Sequence, residues 1–103
     1  MATFHRVAEV TDLAPGTGMA VQVGGQKIAL FNVGGTFYAI GDTCTHRGGP
    51  LSEGTIEGTT VICPWHRACF ELGSGKNLTS PAPGPVPAYC VRIEGTDVQV
   101  EVS

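Results

Sequence analysis

Positive charge is scarce in this chain. Six Lys and Arg stand against nine Asp and Glu in 103 residues, a formal net charge of −3. No basic patch exists to neutralise phosphates, so nucleic acid is not an expected partner. A mildly acidic surface could instead dock on a basic rim of another protein. Long apolar runs are also missing: none approaches the ~18 residues that a membrane-spanning helix needs. No charged-then-apolar leader precedes Val7, and the expectation is a cytoplasmic protein without membrane contact. Helix-forming stretches are few, whereas glycine and proline number fifteen and seven. That balance points to an all-β chain of short strands and many turns. The length suits one small domain, residues 1–103, with a modest core. There are no internal repeats, and no DNA-binding element of the kind a redox sensor would use.

The turn signals divide the chain. Residues 3–10 read as a first strand, followed by a turn-rich passage through Asp12, Pro15 and Gly16. Met19, Val21 and Val23 alternate with smaller or polar residues, as in a strand with one buried face. Gly24-Gly25 predicts a two-residue hairpin turn, because both positions can take positive φ. Residues 27–33 return as a nearly continuous apolar strand, and Gly34-Gly35 turns it into residues 36–40. Short strands are expected at 59–62 and 68–72, with Gly73-Ser74-Gly75 closing that pair. The proline-rich segment 81–87 is stiff and poor in backbone donors. Residues 89–94, the Gly95-Thr96 turn and residues 98–102 complete a last hairpin. The outer blocks, 1–41 and 78–103, are expected to form one β-base into which residues 42–77 are inserted. His5 reads as a surface residue. Cys69 and Cys90 each fall out of phase with their apolar neighbours, and a disulfide between them is not expected in a reducing cytosol.

Cysteine and histidine are rare, at four and three residues, yet two of each fall between positions 44 and 66. The stretch reads Cys44-Thr45-His46, then sixteen residues, then Cys63-Pro64-Trp65-His66. Two thiols and two imidazoles in matched pairs point to a metal site. Structural zinc fingers usually bring two cysteines from one turn and two histidines from another. Here each arm mixes one of each, which suits an iron–sulfur centre whose two irons take different ligands. A zinc-bound structural module remains the alternative that the residues alone leave open. The glycines around the arms, Gly48, Gly49, Gly54 and Gly58, would let backbone N–H groups approach the cluster sulfurs. Trp65 reads equally as a packing residue or an exposed docking anchor. Arg47 and Arg67 read as solvated charges that could guide an acidic partner.

This pattern, with the flavour Cys-Thr-His-Arg-Gly-Gly-Pro-Leu followed by Cys-Pro-Trp-His, resembles the Rieske family, which carries C-x-H … C-x-x-H around a [2Fe–2S] centre. All four ligand positions match; Arg67 departs from the glycine common in the family. The resemblance implies a Rieske iron–sulfur fold: an antiparallel β-sandwich or barrel-like base (1–41 and 78–103) with an inserted cluster-binding subdomain (42–77). It assigns Cys44 and Cys63 to the inner iron and His46 and His66 to the outer one, with the proline segment shielding the cluster. Two imidazoles in place of two thiolates leave the oxidised centre formally near zero charge rather than about −2, which raises its potential. Within the family, high-potential members carry a disulfide at the positions of Gly49 and Trp65, and hydroxyl residues at those of Ala68 and Phe70. None of these is present, so the resemblance implies a low-potential centre. A free-standing chain of this length resembles the ferredoxin of biphenyl, naphthalene or carbazole dioxygenase systems. The implied role is a monomeric one-electron carrier, not itself an enzyme. Its partners would be an NAD(P)H-dependent flavin ferredoxin reductase and the terminal oxygenase of an aromatic-ring dioxygenase, with docking near His46, His66 and Trp65. The second reading is the small Rieske-like subunit of an assimilatory nitrite reductase.

Overall fold

The computed structural model describes residues 3–42, 50–64, 69–76, 78 and 86–102. Among these residues ten strands carry the fold: β1 (Thr3–Glu9), β2 (Thr17–Val23), β3 (Gln26–Val33), β4 (Thr36–Gly41), β5 (Thr55–Glu57), β6 (Thr60–Ile62), β7 (Cys69–Glu71), β8 (Ala88–Tyr89), β9 (Val91–Glu94) and β10 (Asp97–Val102). Among the described residues there is no α-helix, only short 3₁₀ turns at Val10–Asp12 and Leu51–Glu53. No helix among them is long and apolar enough to cross a membrane. The hairpins turn where the glycine pairs stand. Gly24 and Gly25 hold φ of 55° and 81°, Gly34 and Gly35 hold 58° and 97°, the geometry that twisted antiparallel strands accept in two-residue turns.

The strands form three antiparallel sheets, ordered β1-β10-β9, β2-β3-β4-β8 and β5-β6-β7. β3, inside the middle sheet, is buried on both faces from Ile28 to Asn32, which is why its sequence is apolar almost without interruption. Successive side chains of a strand point to opposite faces. Ile28 and Leu30 pack with Ala8, Val98, Val100 and Val102 from the first sheet. Ala29 and Phe31, one residue out of phase, pack with Leu51, Val61, Cys63, Phe70, Leu72 and Val86. β4 divides in the same way, Ala39 to the first core and Ile40 to the second. The candidate metal ligand Cys63 thus belongs to one core, and the pairing of the two chain ends to the other.

Three local features differ from the sequence reading. β1 stops at Glu9 because Asp12 Oδ2 accepts the Glu9 N–H at 2.9 Å and winds the next three residues into a 3₁₀ turn. β5 was not expected: it is three residues long, its ends are exposed, and only Ile56 leans on a core. The strand expected at 89–94 is two strands in different sheets. Ala88 and Tyr89 pair with Ile40 and Ala39, whereas β9 pairs with β10. Cys90 is the crossing point, its carbonyl accepting the Glu101 N–H at 2.9 Å. Alternation continues through the crossing, so the pattern could not reveal it.

Tyr89 beside this crossing is expected to make the fold sensitive to alkali. Its hydroxyl donates to Gln26 Oε1 at 2.7 Å, and burial raises its pKa above the usual phenol value. The neutral phenol is the form the fold favours. Its contribution is therefore complete below about pH 10, the unfolded value, and is lost as pH rises through the higher folded value. Urea melts of Tyr89→Phe above pH 10 are expected to show a flatter alkaline decline than wild type. An unchanged decline would assign the loss to other groups.

Candidate metal centre

Cys63 is delivered by the small third sheet. Across it, Ile56, Val61 and Phe70 are register partners on the face turned into the core, while Thr55, Ile62 and Cys69 share the other face. Cys63 follows β6 in phase with Val61 and turns inward, 1% exposed among apolar side chains. The chain then leaves the interior at the exposed Pro64. A cavity of about 250 Å³ lies against this exit, lined by Thr55, Glu57, Ile62, Cys63 and Pro64. Gly54 lets the strands close here. A Cβ on Gly54 would collide with the Ile62 carbonyl oxygen and stand 2.9 Å from Val61 Cγ2.

The other three expected ligands, Cys44, His46 and His66, lie outside the described residues, as do Arg47, Gly48, Gly49, Trp65, Arg67, Ala68 and residues 79–85. The structure therefore places one of the four. Among the described residues no group of three or more His, Cys, Asp and Glu could hold a metal ion. What the structure does define is where the two stretches that contain these expected ligands begin and end. The first departs after Asp42 and returns at Pro50-Leu51. There the Asp42 carbonyl accepts the Leu51 N–H at 2.7 Å, and Asp42 Oδ1 accepts the Ser52 N–H at 2.7 Å. The second spans the end of the β6–β7 hairpin, whose last partners are Ile62 and Cys69. The proline-rich segment is likewise anchored at both ends. Leu78 N–H donates to the Cys69 carbonyl at 2.8 Å, and Val86 N–H to the Gly75 carbonyl at 2.9 Å. Val86 is buried in the same core as Cys63.

The donor chemistry suits a [2Fe–2S] group. A thiol buried among apolar side chains fits the inner, sulfur-ligated iron, and dry surroundings help to set such a centre's potential. Phe70 fills part of that core, is fully buried, and offers no hydroxyl. Phe70→Tyr tests that absence. A phenol O–H that reached the cluster or its thiolate ligands would strengthen on reduction. A gain of about 1.4 kcal/mol corresponds to roughly 59 mV for one electron. Redox titration is expected to show an upward shift of that order; an unchanged midpoint would mean the hydroxyl finds another acceptor.

His5 is exposed on β1, as expected. Cys90 is an exposed free thiol, so no disulfide joins it to Cys69. The residue that sequence reasoning passed over is Asp42. Its signal was an acidic side chain at a strand end, two residues ahead of the first cysteine, but its partners lie ten residues on.

Comparison with known proteins adds independent findings. A family model, the Rieske [2Fe-2S] domain, matches residues 3–90. The chain is 44% identical over 94 residues to the 3-phenylpropionate/cinnamic acid dioxygenase ferredoxin subunit of Shigella boydii, covering 90% of this chain and 88% of that one. Its fold superposes on the ferredoxin of carbazole 1,9a-dioxygenase from Nocardioides aromaticivorans with a TM-score of 0.91 and 32% identity, over 95% and 96% of the two chains. A second match is to a chain in a complex of reduced oxygenase and oxidised ferredoxin of carbazole 1,9a-dioxygenase. Its TM-score is 0.87 at 37% identity, over 94% and 91% of the chains. A protein described as an NADH-dependent nitrite reductase small subunit, from Mycobacterium tuberculosis, shares the fold with a TM-score of 0.91. It is 24% identical, over 100% and 97% of the chains.

Proposed function

The chain belongs to the Rieske [2Fe-2S] family, and we propose that it is the ferredoxin of an aromatic-ring dioxygenase system. It is an electron-transfer component with one [2Fe–2S] cluster rather than an enzyme. In this reading Cys44 and Cys63 hold the inner iron and His46 and His66 the outer one. The bound cluster supplies a one-electron couple. The polypeptide does the rest: it keeps Cys63 from water and presents its histidine arms to partners. Residues 42–77 form the cluster-bearing part on a base of residues 1–41 and 78–103. Electrons arrive from a flavin ferredoxin reductase and leave to a terminal oxygenase, both docking transiently near His46, His66 and Trp65. The working form is a monomer in the cytoplasm.

One observation carries this reading: 44% identity to a dioxygenase ferredoxin subunit over nearly the full length of both chains. The nitrite reductase reading has weaker support, a likeness of fold at 24% identity. The test is anaerobic mixing of the dithionite-reduced protein with the terminal oxygenase of the 3-phenylpropionate/cinnamic acid system, followed in the visible spectrum. Reoxidation of the ferredoxin with matching reduction of the oxygenase supports the proposal. Electron transfer to a sirohaem nitrite reductase, and to no aromatic-ring oxygenase, would replace it with the second reading.

A further inference from the structure

Few polar side chains are buried here; among the described residues they are Asn32, Asp42 and Ser52. Asp42 and Ser52 are bonded to each other, through the Ser52 N–H and Asp42 Oδ1. Around Asp42 the chain is knotted into several neighbours. Its own N–H donates to the Lys27 carbonyl at 3.1 Å, and its carbonyl accepts the Leu51 N–H at 2.7 Å. The preceding Gly41 donates its N–H to the Pro87 carbonyl at 2.8 Å. A Cβ on Gly41 would stand 3.0 Å from Pro87 Cδ. The dipeptide Gly41-Asp42 therefore joins the start of β3, the return of the first ligand-bearing stretch, and the chain leaving the proline-rich segment. A carboxylate is costly to remove from water, and one that stays buried must be held by donors. Here the donor is the backbone N–H of Ser52, just past the point where that stretch comes back.

We propose that Asp42 is a positioning residue for the cluster. It sets the separation of the two ends between which Cys44 and His46 lie, and so pre-orders these ligands before any iron arrives. A ligand pair held at fixed ends loses less conformational entropy on binding metal than one on a wider, looser stretch. The retained Leu51 N–H to Asp42 carbonyl bond ties the chain at one point; the side chain adds the second point that fixes its direction. The proposal rests on the ligand assignment made above.

Holoprotein of the wild type and of Asp42→Ala, Asp42→Asn, Asp42→Glu and Asn32→Ala is challenged with an excess of iron chelator. Cluster loss is followed by visible absorbance, and an EPR spectrum of each reduced protein is taken beforehand. Asp42→Ala is expected to lose its cluster about tenfold faster than wild type. Asp42→Asn, whose amide oxygen can accept the same bond, should stay within about threefold. Asp42→Glu keeps the charge but displaces the oxygen by one methylene, so it should release iron faster than Asp42→Asn. Asn32→Ala removes a buried bond to the Leu13 carbonyl and a partly buried one from the Gly35 N–H, both 2.8 Å, on another part of the fold; it should release iron at the wild-type rate. If Asp42→Ala yields no holoprotein, the order of Asn against Glu decides. Release from Asp42→Ala at the wild-type rate, from Asn32→Ala as fast as from Asp42→Ala, or from Asp42→Glu more slowly than from Asp42→Asn overturns the role of Asp42. A wild-type EPR spectrum without mixed Cys/His character sinks the ligand assignment, and the proposal with it.

Discussion

Cys63→Ser is expected to give a colourless protein with roughly a tenth or less of the wild-type iron and no reduced EPR signal. The thiol is the one candidate ligand whose surroundings are defined, and they magnify the change. Cys63 is packed among Phe31, Leu51, Val61, Phe70, Leu72 and Val86, so serine leaves a hydroxyl in an apolar site as well as removing a ligand. Moving a hydroxyl from water into such surroundings has a desolvation cost of its own. Metal binding is part of the folding free energy of small metallo-domains, so loss of the cluster adds to this. The damage should be one-sided. The two cores lie on opposite faces of the middle sheet and, among the described residues, share no side chain. Hydrogen exchange is therefore expected to accelerate for the amides of Val61 and Leu72, while those of Val98 and Val100 keep most of their protection. Retained colour in the serine variant would remove Cys63 from the ligand set. Uniform loss of protection would show that the two cores melt together.

The second large effect is steric. Gly75→Ala should destabilise the protein by about 3 kcal/mol or more, against about 1 kcal/mol for Gly34→Ala. Both glycines hold positive φ, 75° and 58°, so the backbone penalty for alanine is similar. Their surroundings differ. Nothing lies within 4 Å of a Cβ on Gly34, whereas one on Gly75 would strike the Val86 carbonyl oxygen and stand 3.1 Å from its carbon. Gly75 is also bonded on both sides: its N–H donates to the Glu71 carbonyl at 2.7 Å and its carbonyl accepts the Val86 N–H at 2.9 Å. Any shift that relieves the clash must therefore move Val86 out of the core it shares with Cys63. Denaturant melts of the two variants separate the terms. Equal losses would mean that the Val86 segment yields freely and that only φ matters at Gly75.

What was legible in the sequence was short-range. Gly24-Gly25 and Gly34-Gly35 announce their hairpins because few other residues take positive φ at both turn positions, and the uninterrupted apolar run of β3 announces a strand covered on both faces. The spacing of Cys44, His46, Cys63 and His66 points to a metal site, since ligand chemistry is a property of residue type; of the four, Cys63 alone lies among the described residues. The illegible parts depend on partners far along the chain. The clasp of Asp42 on Ser52 needs the loop to have closed already, and β5 gains its status from β6, because Thr55 and Glu57 bury little of their own. The crossing at Cys90 is hidden because both sheets continue the same alternation. That Cys63 faces the core follows from its phase with Val61, which could be counted only once β6 had been paired.

The pairing of β1 with β10 brings Thr3 beside Val102, in the sheet that packs on the face of the middle sheet turned away from Cys63. Both ends of the folded unit therefore exit together at its back. A tag, a surface tether or a whole second protein joined at either end, or the unit spliced into a loop of another chain through both, would meet the molecule on the side away from Cys63. An electrode-tethered form held by its amino terminus and one held by its carboxyl terminus should accordingly behave as interchangeable wires.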